Sequence, residues 1–163
     1  MNDPTNSSNQ EAHLLGVADL ERIIAIDCAH SGHSRRQFFE KRFAAAKAHP
    51  DDFVLIGLMR GGALRGYAIA RLLRGEFGRE DVVAVVDAIG VALENQALGI
   101  GHDLIEALVK VLRQKGVRSI SSQTMWANHD LLHFFDTSGF VLAPRLVLER
   151  SVTEPLTEEI EEA

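Results

Sequence analysis

Apolar and polar positions change period several times along the chain, and each change marks an element. Residues 13–17 predict a first short strand. A helix opens at Ala18 or Asp19 and carries Leu20, Ile23, Ile24 and Ile26 at helical spacing to about His30. Ser31-Gly32-His33-Ser34 breaks it. Arg35 to His49 predicts a second helix, with Phe38, Phe39, Phe43 and Ala46 on one side and Pro50 closing it. Phe53 to Met59 and Tyr67 to Leu73 are strands of a hairpin that turns through Arg60-Gly61-Gly62. After a loop over 75–81, Val82 to Val91 is apolar except at Asp87. Gly101 to Lys115 is amphipathic, with Leu104, Leu108, Val111 and Leu112 on one face. Val117 to Met125 predicts a strand. Asn128 caps a short helix through Ser138, and Phe140 to Ala143 and Arg145 to Ser151 predict final strands around Pro144. The order gives an α+β fold: a mixed, mainly antiparallel sheet flanked by helices.

At 163 residues the chain predicts one domain over 13–151, between a disordered tail (1–12) and an acidic one (152–163). Hydrophobic residues, 46% of the total, suffice for a sizeable core, and no apolar run is long enough to span a membrane. The polar start does not read as a signal peptide. One cysteine, Cys28, excludes an internal disulfide and suits a reducing cytoplasm. The net charge of −6 comes from the ends, because 152–163 hold five glutamates and no base. The body is near neutral, which argues against a nucleic-acid partner.

Candidate chemistry centres on Gln96-Ala97-Leu98-Gly99-Ile100-Gly101. A strand precedes it and a helix follows, so its glycines bring free N–H groups to a helix N-terminus, a natural anion site. Three phosphate-binding readings compete. A Walker loop needs Lys and Ser/Thr after the second glycine, and His102 and Asp103 stand there. A dinucleotide fingerprint needs a third glycine, and Leu104 occupies that place. The third reading is the pyrophosphate loop of an acyl-coenzyme A binder.

The block from Ile89 to Gly101 resembles motif A of the GNAT acetyltransferase superfamily, V-x-P-x-x-[RQ]-G-x-G-x-[GA]. Asn128 to Phe140 resembles motif B, N-x-x-A-x-x-[FL]-Y-x-x-x-G-F. Both blocks in this order are more specific than either alone. The resemblance covers about 82–150 and implies a GNAT-like sheet with splayed central strands. It also implies acetyl-CoA as acyl-donor cosubstrate and no metal. Backbone groups at Ile89 and Val91 would pair with the pantetheine arm. Gln96, Ala97, Leu98, Gly99, Ile100, Gly101 and His102 would cradle the pyrophosphate, with Asn128 and Phe135 beside the arm. A homodimer through the last strands is a further expectation of the resemblance.

An amine must be neutral to attack a thioester. A lysine-type amine, with a pKa of about 10.4, is neutral in fewer than about one molecule in a thousand at pH 7. A carboxylate base would supply the need, and Asp87, an isolated acid in an apolar strand, is the catalytic candidate. Strand alternation puts it on the face of Val85, Ile89 and Val91. Glu76 and Glu94 are weaker choices. Three departures from the pattern matter: Phe135 replaces the usual thiolate-protonating Tyr, Gln123 a catalytic Glu, and Leu93 a Pro. Tyr67 is the only tyrosine. His33, Arg35 and Arg36, between the first two helices, are candidate contacts for an acceptor carboxylate. Cys28, His30 and His33 are metal-type residues at a spacing that fits no zinc site. The leading function is transfer of acetyl to a primary amine of a small molecule or peptide. The alternative is a non-catalytic acyl-CoA-binding or regulatory protein on the same fold.

Overall fold

The computed structural model describes residues 10–96 and 98–153. Its elements are β1 (Gln10–Leu14), α1 (Leu20–Ser31), α2 (Arg36–Ala48), β2 (Phe53–Arg60), β3 (Ala63–Arg74), β4 (Val82–Val91), α3 (Ile100–Gln114), β5 (Ser119–Ser122) and α4 (His129–Thr137). The strands form one sheet in chain order, antiparallel except for the parallel pair β4–β5. This is the predicted α+β layout.

Strand alternation divides the core in two. On one face, Val54, Ile56, Leu58, Ala68, Ala70, Leu72, Ala84 and Val86 pack against Ile100, Leu104, Leu108 and Leu112 of α3. On the other, Leu55, Tyr67, Ile69 and Ala88 pack against Ile23, Ile24 and Ile26 of α1 and Phe39 and Phe43 of α2.

The ends of the chain differ from expectation. β1 begins at Gln10, so residues 10–12 belong to the sheet and not to a tail. Residues 1–9 and 154–163 of the predicted tails lie outside the described residues. The strands expected at 140–143 and 145–151 do not form: Val141, Leu142, Leu146 and Leu148 are each at least 88% exposed. High β-propensity does not by itself make a strand, and these residues neither pair with the outer edge of β5 nor bury a face. β5 is likewise only Ser119–Ser122, shorter than the predicted 117–125.

One polar side chain sits inside the apolar face of α1. Asp27 is 5% exposed. It accepts hydrogen bonds from Tyr67 Oη at 3.0 Å and Arg35 Nε at 2.8 Å, and Arg35 Nη2 makes a closer one. Burial works to raise the Asp27 pKa, but the hydrogen bonds from Arg35 and Tyr67 outweigh it and hold the carboxyl below the ordinary aspartate value. Burial and the neighbouring carboxylate push the Tyr67 hydroxyl well above the usual tyrosine range. The network ties α1, the start of α2 and the centre of β3 together.

Asp27→Asn removes the charge and turns one of the two acceptor oxygens into an NH2 facing the Arg35 and Tyr67 donors. Asp27→Asn should cost about 2–4 kcal/mol at pH 7, read from urea midpoints. Because folding lowers the Asp27 pKa, its contribution is complete above the unfolded value of about 3.9 and fades as the pH falls below it. The gap between wild type and variant should therefore narrow in acid. An equal gap at pH 3 and pH 7 would show that the charge contributes nothing.

Candidate functional site

β4 and β5 pair only from Val83↔Ser119 to Val86↔Ser122. Beyond Val86, β4 keeps β3 on one edge and has no strand on the other among the described residues. Its last paired residues fix which backbone groups face that gap. Ala92 N–H donates to Arg65 C=O of β3 at 2.8 Å, so by alternation the backbone groups of Ile89 and Val91 point the opposite way, to the open edge.

The divergence begins at a β-bulge. Ile69 opposes Ala88 and Ala70 opposes Val86, so Asp87 is the extra residue. The bulge reverses the alternation. Asp87 therefore does not share a face with Ile89 and Val91, as an unbroken strand would require. Ile89 and Val91 face α3, whereas Asp87 turns toward α2. Arg71 Nε donates to Asp87 Oδ2 at 2.6 Å. Arg42 Nε lies 2.7 Å from the same oxygen without aiming its N–H at it, which makes a charge contact and not a hydrogen bond. The Asp87 side chain is 8% exposed and does not line the cavity described next.

α3 starts beside the open edge. Gly99, its N-cap, has φ 77°, a left-handed conformation that suits glycine. The helix ladder opens with Asp103 N–H donating to Gly99 C=O, so the N–H groups before it have no partner within the helix. Gly101 meets a different need. A Cβ there would lie 2.7 Å from the Phe134 ring of α4. The turn before the helix is held by Glu94, which accepts from Arg22 of α1 at 2.9 Å and Arg65 of β3 at 3.3 Å. A hydrogen bond from its own backbone N–H, then the one from Arg22, keeps the Glu94 carboxyl below the ordinary glutamate range.

The open edge, the α3 N-terminus and the start of α4 enclose a cavity of about 700 Å³. Of the predicted site residues, Ile89, Val91, Gln96, Gly99, Ile100, Gly101, His102 and Asn128 line it. Leu98 is not among the lining residues and is 53% exposed. Ala97 lies outside the described residues. Phe135 is core, 7% exposed against Phe134 and Phe140, and the ring that reaches the cavity is Phe134. Asn128 also caps α4 by accepting from Leu131 N–H at 3.2 Å.

The acceptor candidates are occupied elsewhere. Arg35 holds Asp27 and stacks on Phe38 and Phe39. Arg36 makes a two-pronged pair with Glu21 at 2.6 and 2.7 Å. His33 bonds within its own loop, to Ser31 C=O at 3.0 Å. The sequence reading had His30 only as a metal-type residue beside Cys28 and His33. This residue of the last turn of α1 lines the cavity, and its Nε2 lies 2.6 Å from Val91 C=O. Asn95 was missed. It lines the cavity, and its Oδ1 is buried with no hydrogen-bond partner among the described residues.

Residues 17–140 match the model of the acetyltransferase (GNAT) family. The chain belongs to that family. Comparison with curated protein sequences finds no match. Among solved structures, a transcriptional regulator from Bacillus halodurans C-125 superposes with a TM-score of 0.74 at 16% identity, covering 88% of this chain and 99% of that one. Aminoglycoside N-acetyltransferase AAC(6')-Iy in complex with CoA gives 0.73 at 18% identity, covering 91% and 98%. Glucosamine-6-phosphate N-acetyltransferase from Arabidopsis thaliana gives 0.65 at 13%, covering 88% and 99%. At these identities the likeness is one of fold. No helix among the described residues is long and apolar enough to cross a membrane.

The contact between Gly101 and Phe134 sets how closely α4 approaches the N-terminus of α3. Gly101→Ala should push the ring aside and cost about 1–2 kcal/mol in urea unfolding. Combined with Phe134→Leu, which vacates the space, the two should cost less than their sum by at least about 0.5 kcal/mol. Strict additivity would show that the two residues do not constrain each other.

Proposed function

We propose that the protein is an acetyl-CoA-dependent N-acetyltransferase that moves an acetyl group to a primary amine of a small molecule or peptide, by direct attack in a ternary complex. The observation that carries this reading is a single cavity wall formed by the unpaired edge of β4 and the N-terminus of α3. A pantetheine arm is an extended chain with amides, which the open-edge N–H and C=O of Ile89 and the N–H of Val91 suit, the Val91 C=O being held by His30. Its pyrophosphate is an anion, which suits the free N–H groups and positive dipole end at the start of α3. Gly101 lets the ligand and Phe134 approach the backbone together. The Asn95 oxygen supplies a buried acceptor for a ligand N–H.

The chemistry then asks little more of the chain. Amine nitrogen attacks the thioester carbon, negative charge gathers on the carbonyl oxygen, and a backbone N–H on the open edge is the natural donor to it. Collapse expels thiolate, a fair leaving group because thiols ionise near pH 8.5. Several enzymes of similar fold carry names that specify amino-sugar acceptors, and we place amines of that size among the first to test. Asp87 we assign to holding the bulge, because its carboxylate is bound to Arg71 and Arg42 away from the cavity.

Calorimetry with acetyl-CoA, and thiol release with glucosamine, kanamycin, glycylglycine and ethylamine, test the activity. Gly99→Asp puts a carboxylate where the pyrophosphate would sit, in a position with free space around it. It should weaken acetyl-CoA binding by about a hundredfold or more, while the left-handed backbone at Gly99 costs about 1–2 kcal/mol of stability and the fold survives. Unchanged affinity would overturn the site, and binding without thiol release would leave a non-catalytic acyl-CoA binder.

Asp87→Asn separates the two roles of that residue. As an anchor it should lower stability by about 1–3 kcal/mol while turnover falls less than about tenfold. A base would show the reverse, with stability near wild type and turnover down by about a hundredfold or more.

A further inference from the structure

With Asp87 turned away, three titratable side chains line the cavity: His102, Asp130 and His30. His102 and Asp130 stand in the first turns of α3 and α4. His102 Nδ1 is 3.0 Å from Ser138 Oγ, and its ring lies against Phe134. Both therefore belong to the end where the pyrophosphate would sit. His30 stands alone at the other wall, against the end of β4.

Its geometry is that of an oriented base. Nε2 lies 2.6 Å from Val91 C=O. A carbonyl only accepts, so Nε2 carries the proton and donates it, and neutral His30 keeps its lone pair on Nδ1. No partner for Nδ1 is present among the described residues. A base fixed in one tautomer by a second group is the recurring arrangement of acyl-transfer sites. Here the second group is the carbonyl of the strand whose open edge would carry the thioester. The same hydrogen bond fixes His30 to that edge, and the Tyr67–Asp27–Arg35 network fixes α1, which carries His30, to β3.

We propose that His30 is a catalytic residue of the transfer, the proton acceptor for the incoming amine; this rests on the acetyltransferase reading above. Nδ1 removes one proton from the ammonium form of the acceptor. The freed nitrogen lone pair forms the C–N bond as the C–S bond breaks and its electrons leave on sulfur. Imidazolium then gives its proton to the thiolate, producing the free thiol. The remaining surplus proton on nitrogen passes to solvent, leaving a neutral amide. The role also fills the place of the proton donor that Phe135 cannot be.

The test turns on amine basicity. His30→Gln retains an N–H that can donate to Val91 C=O but has no basic nitrogen, and His30→Asn is a shorter second version of the same change. Ethylamine is almost wholly protonated at pH 7, whereas 2,2,2-trifluoroethylamine is mostly neutral and needs no base. With ethylamine, kcat should fall by about a hundredfold or more in both variants. With trifluoroethylamine it should fall by no more than a few fold, and acetyl-CoA affinity by calorimetry should stay at the wild-type value. Added imidazole should restore part of the ethylamine rate. An equal loss with both amines, or no loss with either, overturns the role while leaving the acetyltransferase reading intact. Wild-type protein that binds acetyl-CoA but releases no thiol with either amine or with the wider panel overturns both.

Discussion

Everything at the site follows from β4 having, among the described residues, a partner strand on only one edge beyond Val86. A β-strand with an unpaired edge is a row of unsatisfied N–H and C=O groups, and proteins normally cover or blunt it. Here the edge is kept open and placed against the start of a helix. The bulge at Asp87 makes this possible, because an extra residue twists the strand away from β5 without breaking its ladder to β3. The bulge carries a buried carboxylate, and Arg71 and Arg42 meet it from β3 and α2. The charge in the apolar strand is thus the anchor for the bend, and the bend is what opens the gap.

The same economy operates on the opposite face of the sheet. Burying Asp27 would cost several kcal/mol if it stood alone. Two donors on Arg35 and one on Tyr67 make it a fixed point between three elements. The edge-on contact of Tyr67 with Phe39 adds packing around it. The result is an α1 that can rotate little about its own axis. That matters at its C-terminal turn, where His30 must reach Val91 C=O on the far side of the strand. Stability and function are coupled through one helix, with the charge buried at its middle and the reactive group at its end.

Much of this was legible in the sequence wherever a local rule decides the outcome. The glycine turn between β4 and α3, the strongly amphipathic α3, the Asn128 cap and the β2–β3 hairpin each rest on period or turn chemistry within a few residues. The failures share a cause, which is that tertiary partners decide. Period-two alternation placed Asp87 beside Ile89, and a single inserted residue reversed it. Phe134 and Phe135 are adjacent on a helix and point about 100° apart, so only the position of α3 determines which ring reaches the cavity. Arg35 and Arg36 read as free cations because their acids, Asp27 and Glu21, lie a helix away in space. The apolar run after Phe140 has the composition of a strand but pairs with none of the described strands, although β5 leaves its outer edge open. His30 stood out in the sequence only as a metal-type residue beside Cys28 and His33, since its place at the cavity depends on a backbone carbonyl 61 residues distant in the chain.

The chemistry of the cavity lining explains why so little of the site shows as side-chain signature. No lysine or arginine is among its lining residues; Gln96, His102 and the backbone N–H groups of α3 are its donors toward an anion. Backbone donors are present in any sequence, and what selects them is geometry: a left-handed turn at Gly99, a missing Cβ at Gly101, a bulge at Asp87. Such a site demands that a few positions be small or bent and leaves the remainder open to change. On the acetyltransferase reading, its specificity for the acceptor would come from the wall where a side chain from the end of α1 stands. There His30 is the one group that both touches the cavity and can move a proton.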